Sequence, residues 1–218
     1  MQNIPPITRA LLIANVVVYL LQQVAGGYLE AHFALWPIGP SHLLELDNGS
    51  TTPVGFGIWQ LVTYAFLHGG SLVRGNIGHI GFNMLALWMF GGRVESVLRG
   101  NRFAIYYFVC VVGAAVAQLA VIHFFKPADF YPTIGASGGV FGVLLAFAVM
   151  FPREKIYLYA IVPIPAAVMV IGYLVIEGYF GISGTQEGVA HFAHLGGALA
   201  GFVLLQIWRA RALARPDP

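Results

Sequence analysis

Gly135-Ala136-Ser137-Gly138-Gly139-Val140-Phe141-Gly142 opens an apolar run that ends at Phe151-Pro152-Arg153. The run from Ser137 to Phe151 reads as a helix. At about 1.5 Å per residue it is too short to cross a hydrocarbon core about 30 Å thick. Pro152 and Arg153 fix one end at a membrane surface, so the other end must stop inside the protein. That end is a serine, surrounded by unpaired backbone N–H groups and the positive end of the helix dipole. A serine at a helix start often does no more than cap it. Burying such a start below a membrane surface has no evident structural benefit, which singles out Ser137 as a candidate nucleophile. Gly138 and Gly142, four apart, leave bare backbone on one helix face, the pattern of close helix packing.

The rest of the chain has the same character. Of its 218 residues 58% are hydrophobic and 9% charged, against about 25% charged in soluble domains. Further apolar runs lie at about residues 7–25, 77–97, 103–124, 156–179 and 191–208. With 137–151 they predict an all-α membrane protein, a six-transmembrane-helix bundle with a short buried fourth helix. Helices are expected because backbone in hydrocarbon must satisfy its own hydrogen bonds, and the two-residue alternation of a barrel is absent. The chain reads as one transmembrane domain over 1–218, with a long outer loop at 26–76 and a tail at 209–218. Arg9, Arg93, Arg99, Arg102, Arg153, Lys155, Arg209, Arg211 and Arg215 fall on one side of such a bundle, and only Arg74 and Lys126 on the other. Positive residues favour the inner side, so both termini are expected in the cytosol. No small-residue cleavage site follows the first run, which is expected to remain as a span. The net charge of +2 gives no reason to expect nucleic acid. The single cysteine, Cys110, excludes an internal disulfide and reads as a small buried hydrophobe.

Partners for Ser137 come from two other runs. The last opens His191-Phe-Ala-His194-Leu-Gly-Gly197-Ala-Leu-Ala-Gly201. His194, Gly197 and Gly201 share a helix face, and glycines below a histidine let another backbone approach. Docking this face on Gly138 and Gly142 would bring Ser137 and His194 together as nucleophile and base. The plainer reading is that the glycines only pack helices and the histidine bonds a carbonyl. In the second run His79 and Asn83 are four apart, on one face, and both can donate hydrogen bonds. They read either as polar glue between helices or as donors to the negative oxygen of a tetrahedral intermediate. A zinc site from His191, His194 and His79 is the rival account. It lacks a His-Glu-x-x-His motif, a cysteine cluster, and a carboxylate inside a span apart from Glu177 near one end. No Asp or Glu has an evident claim to be a third catalytic member.

Gly135-Ala-Ser137-Gly138, His194-x-x-Gly197-x-x-x-Gly201 and His79-x-x-x-Asn83 together resemble the three signatures of rhomboid proteases, in the usual order along the chain. The resemblance covers essentially all of it. It implies an intramembrane serine endopeptidase that cuts transmembrane-helix substrates near the outer membrane face, with no metal or organic cofactor. Ser137 resembles the nucleophile and His194 the base. The Ser137 N–H with His79 and Asn83 resembles the oxyanion site, and Phe141 the aromatic position on which the imidazole stacks. Gly135 and Gly138 flank the nucleophile in its motif, while Gly91-Gly92 and Glu95 resemble a structural motif at the inner end of the second span. Residues 181–190 correspond to a cap loop, and the fifth span to part of a lateral entry. Two departures stand out. Arg74 occupies a position where many members carry histidine, and His68-Gly-Gly resembles the displaced equivalent, set back by Ser71-Leu-Val-Arg-Gly-Asn76. Trp59-Gln60 stands where many members have Trp-Arg. The implied partners are single-span membrane proteins and the lipid bilayer, and the implied location is a bacterial plasma membrane. A catalytically inactive binder of membrane clients, or a small transporter or channel, are the alternatives.

Overall fold

A computed structural model describes residues 4–25, 27–69, 77–158, 161–184 and 189–214. Arg74 and the rest of the Ser71–Asn76 insertion, part of the expected cap loop (185–188), and Arg215 in the tail lie outside the described residues. The elements are α1 (Pro6–Gln22), α2 (Tyr28–Phe33), a hairpin of β1 (His42–Glu45) and β2 (Thr51–Val54), and α3 (Gln60–Thr63). Next come α4 (Gly78–Ala86) and α5 (Gly92–Leu98), α6 (Gly100–Phe125), and α7 (Ser137–Met150). A second hairpin, β3 (Lys155–Leu158) and β4 (Val162–Pro165), leads into α8 (Ala166–Ser183) and then α9 (His191–Leu213). A wider π turn over Leu87–Gly91 joins α4 to α5, and Ala86, Gly91 and Gly92 all keep right-handed helical dihedrals.

The centre of the fold is α6, which packs against both α7 and α9. Phe103, Tyr106, Tyr107, Cys110 and Val111 on α6 are fully buried. Glycines make the close approaches possible. A Cβ on Gly142 would strike Cys110 Sγ, one on Gly138 would strike Ala114, and one on Gly197 would strike the Gly138 carbonyl oxygen. Gly201 lies against the Tyr106 hydroxyl and Cys110. The expected docking of the α7 and α9 glycine faces is therefore found, but α6 shares it, and Cys110 fills the space that Gly142 and Gly201 leave open. Tyr106 Oη–H donates to the Gly142 carbonyl at 2.7 Å, and Tyr64 Oη–H to that of Val111 at 2.8 Å. Both bonds pin α6 to its neighbours through phenols that would otherwise be buried without partners.

The start of α1 is held by the end of the second helical rod. Glu95 is buried, and its carboxylate accepts the Ile7 N–H at 3.0 Å, the Thr8 N–H at 2.7 Å and the Thr8 hydroxyl at 2.7 Å. An acid from another helix thus serves the orphan donors of a first turn, where negative charge is favoured. Gly91 and Gly92 permit the approach, since a Cβ on either would press on Thr8 or Pro5. The Gly-Gly-Glu motif is a helix-joining device.

Among the described residues three helices, α6, α8 and α9, are long and apolar enough to cross a membrane, and α1 and α7 are shorter apolar helices. The fifth apolar run departs from expectation. The start of that run is expected to be helical, but Lys155–Leu158 and Val162–Pro165 pair as antiparallel strands, and α8 begins at Ala166. Pro163 and Pro165 lack the N–H a helix interior needs and clash with the preceding turn, while Ile, Tyr and Val suit strands. Pro165 takes the N-cap position of α8, where its fixed dihedral does no harm. The long loop also carries more structure than its sequence signalled. The β1–β2 hairpin turns at Asn48-Gly49, where Gly49 has a φ of 78°. Buried Gln60 staples the loop by accepting the Trp36 N–H at 3.1 Å and donating to the Gly55 carbonyl at 2.9 Å.

Candidate active site

Ser137 is the first residue of α7. Gly135 before it has a φ of 126°, a conformation that disfavours any side chain, and a Cβ there would lie 2.8 Å from His79 Nε2. Glycine at 135 therefore both shapes the turn and leaves room for an imidazole above the nucleophile. His194 sits in the first turn of α9. The Gly138–Gly197 contact brings the two helix starts together, and the Ser137 hydroxyl donates to His194 Nε2 at 2.8 Å. Phe141, one turn below Ser137, stacks on the His194 ring with centroids 4.3 Å apart and planes inclined by 7°.

The other ring nitrogen of His194 has a partner that sequence reasoning missed. Glu177 Oε2 on α8 lies 2.8 Å from His194 Nδ1 and 2.7 Å from His191 Nδ1. All three side chains are buried. An ionised carboxylate only accepts, so His194 Nδ1 carries the hydrogen and its Nε2 presents a lone pair to the serine hydroxyl. The expectation that no acid has a claim on the dyad is corrected by this geometry. The signal was present in the sequence. Glu177 is the only charged residue in α8, and an ionisable side chain inside a span invites a functional reading.

His79 lies beside the dyad. The Gly69 N–H donates to His79 Nδ1 at 3.1 Å, which leaves the proton on Nε2, the nitrogen that faces Gly135. Ser137, His79 and His194 line one cavity, together with Gly69, Tyr131 and Ile134. Asn83 is buried but does not line that cavity, and one of its amide hydrogens is committed to the His79 carbonyl at 2.9 Å. Gly142 and Gly201 lie in the helix contacts against Cys110 and do not line that cavity. His68 does reach the site: its ring centre is 5.2 Å from that of His79, and its Nε2 accepts the Ala136 N–H at 3.4 Å. Burial, reinforced by the neighbouring His79, pushes the His68 imidazole down to about 4.

The zinc account is altered as well. The ligand atoms that converge are those of Glu177, His191 and His194, all within 4.8 Å of one another, and His79 is not among them. The two carboxylate-to-imidazole distances are hydrogen-bond lengths. Two ligands held about 2.0–2.1 Å from one tetrahedral zinc would stand about 3.3 Å apart.

Residues 56–211 match the family described as Rhomboid domain. The chain is 32% identical over 175 residues to rhomboid protease GluP of Bacillus subtilis, covering 73% of this chain and 31% of that protein. It is 29% identical over 196 residues to the mitochondrial rhomboid protein 1 of Saccharomyces cerevisiae, with 80% and 56% covered. It is 28% identical over 213 residues to rhomboid protease GlpG of Yersinia pseudotuberculosis, with 96% and 65% covered. The chain thus spans about a third to two thirds of the length of these relatives. Its long apolar helices make it an integral membrane protein, and the match over most of its length places it in the rhomboid family.

Proposed function

We propose that this protein is an intramembrane serine endopeptidase. The observation that carries the reading is the 2.8 Å bond from the Ser137 hydroxyl to His194 Nε2 at the start of a short apolar helix. Ser137 Oγ attacks the scissile carbonyl carbon while its proton passes to His194 Nε2. The tetrahedral oxyanion forms near the Ser137 N–H and His79 Nε2–H, with Asn83 in support. Collapse breaks the C–N bond, and the amine leaves with the proton held by His194. Water then attacks the acyl ester, gives its proton to His194, and releases the carboxylic acid as Ser137 recovers its hydrogen. The chemistry calls for no metal or organic cofactor.

The bundle has six membrane crossings, with α1, the α4–α5 rod, α6, α7, α8 and α9 as the spans. Residues 1–218 form one domain, 26–76 lie on the outer side, and both termini face the cytosol of a bacterial plasma membrane. Its substrates are single-span membrane proteins, cut near the outer face. A helical peptide bond is engaged in its own hydrogen bonds, so the cut falls where a substrate helix unwinds easily. The test is purified protein in detergent with a model transmembrane substrate and a serine-reactive fluorophosphonate. Wild type is expected to cleave and to label, and Ser137→Ala to do neither while remaining folded. A folded wild type that binds clients without cutting or labelling would instead be an inactive relative, and transport without proteolysis would mark a channel or transporter.

A further inference from the structure

We propose that Glu177 is a positioning residue for His194, which extends the serine–histidine pair into a Ser137–His194–Glu177 relay and makes the seating of α8 a condition of full activity. The proposal rests on the proteolytic reading above. Three observations carry it. The first is geometry: a single carboxylate oxygen lies 2.8 Å from Nδ1 of the histidine whose Nε2 accepts the serine hydroxyl. That bond selects the tautomer the base needs and offsets the positive charge the ring acquires when it takes the serine proton. The carboxylate stays ionised throughout, and the proton shuttles only between Ser137, His194 Nε2, the leaving amine and water.

The second observation is the setting. Glu177 is the only charged group in a helix whose exposed face is apolar, with Val168, Ile171, Val175 and Ile182 all turned outward. A carboxylate in such a helix is expensive to bury unless its partners are fixed. The groups that face it come from α9: His194 and, at 2.7 Å, His191.

The third is where α8 stands in the packing. Only Ala166, Val170 and Glu177 of α8 are buried. Of these, Ala166 and Val170 lie in the first half of the helix, near the β3–β4 hairpin. Toward its far end α8 is held at Glu177 and, beyond it, by Phe180 and Gly181 against His191 and Phe192. A transmembrane substrate that pushes this end of α8 aside lengthens the Glu177–His194 bond, and one that leaves α8 in place keeps it. Catalytic competence is thereby tied to the position of the loosest-packed of the long helices.

The experiment compares wild type, Ser137→Ala, Glu177→Ala and Glu177→Gln for steady-state cleavage of a transmembrane substrate, fluorophosphonate labelling rate and melting temperature in detergent. Orienting acids in soluble serine proteases are worth about 10⁴-fold in kcat. Phe141 already holds the ring here, so Glu177→Ala is expected to lower kcat by about 10²- to 10³-fold with KM changed less than threefold. Labelling slows in parallel. Glu177→Gln keeps an amide oxygen that can accept the Nδ1–H but not the charge, so it recovers about tenfold of that loss and stays about ten- to a hundredfold below wild type. A purely structural role predicts a lower melting temperature with normal kcat for each surviving folded molecule, and that result overturns the proposal. So does a folded Glu177→Gln with wild-type kcat and labelling, the deciding variant if Glu177→Ala fails to fold. Failure of wild type to cleave or label, or cleavage by Ser137→Ala, removes the proteolytic reading itself and is told apart from these by the control lanes.

Discussion

Gly197→Ala puts the assembly of the site to a quantitative test. The new Cβ falls on the Gly138 carbonyl, with the carbonyl carbon at 2.8 Å and the oxygen nearer still, where ordinary contact begins at 3.4 Å. Both neighbours are backbone of regular helices, so neither yields by rotating a side chain. Relief requires α7 and α9 to separate by on the order of 1 Å, and overpacking of this kind costs roughly 1–3 kcal/mol or more. The same separation carries Ser137 from His194, stretching their 2.8 Å bond beyond hydrogen-bonding distance. A misplacement of about 1 Å costs on the order of 10²-fold in rate. Gly197→Ala is therefore expected to lower both the melting temperature and the kcat of the folded fraction, the latter by about a hundredfold. Gly172→Ala on α8 is the control: nothing lies within 4 Å of its added methyl, and alanine in a helix interior gains up to about 1 kcal/mol over glycine. Purified variants assayed for unfolding and for cleavage of one substrate decide the matter. A folded Gly197→Ala with kcat within tenfold of wild type, or a Gly172→Ala equally damaged, would show that the Gly138–Gly197 contact does not set the distance between Ser137 and His194.

His79→Ala is expected to slow cleavage by roughly ten- to several-hundredfold, mostly in kcat, because it lines the cavity that holds the nucleophile and its Nε2–H is free to donate there. Asn83→Ala is expected to lose less, since one amide hydrogen is committed to the His79 carbonyl; equal thermal destabilisation of both with normal turnover would mark them as helix glue. Acid should weaken the fold through His68. Its ring is held neutral down to about 4, so the unfolded chain binds the proton first and stability falls as pH drops from about 6.5 toward 4, by up to roughly 3 kcal/mol. Melting temperatures measured across that range should fall more steeply for wild type than for His68→Gln, and parallel slopes would exclude His68 as the source. Glu95→Ala is expected to lower stability by roughly 2–4 kcal/mol by stripping three bonds from the start of α1. Turnover of the folded fraction should be nearly unchanged, and an unchanged melting temperature would contradict the capping role.

The legible parts of the sequence were those where a single side chain states its own cost. A helix too short for a bilayer, a histidine within a span and glycines four apart each have few explanations, and Ser137, His194, Gly138 and Gly197 meet as those signs implied. The Phe141 stack was legible only through family resemblance, since an aromatic residue in an apolar helix has many possible neighbours. Glu177 was visible but unassigned. Its rotation about α8 decides whether it meets His194 or lipid, and spacing along the sequence does not give that rotation. His68 depended on how the chain turns back after the loop, which spacing alone does not give. The part α6 plays in joining the glycine faces was hidden because a tyrosine or cysteine in an apolar helix, like Tyr106 and Cys110, has many possible neighbours.

The carboxylate clasp at the head of α1 bears on the order in which the protein is made. The donors it serves belong to residues 7 and 8, and the acceptor follows 87 residues after the second of them. During synthesis the first helix emerges long before its acceptor exists. Until then its leading turn must find hydration at the membrane surface, and it gives that up only when the second rod arrives. The final seating of the first helix is thus a late event that waits on the second.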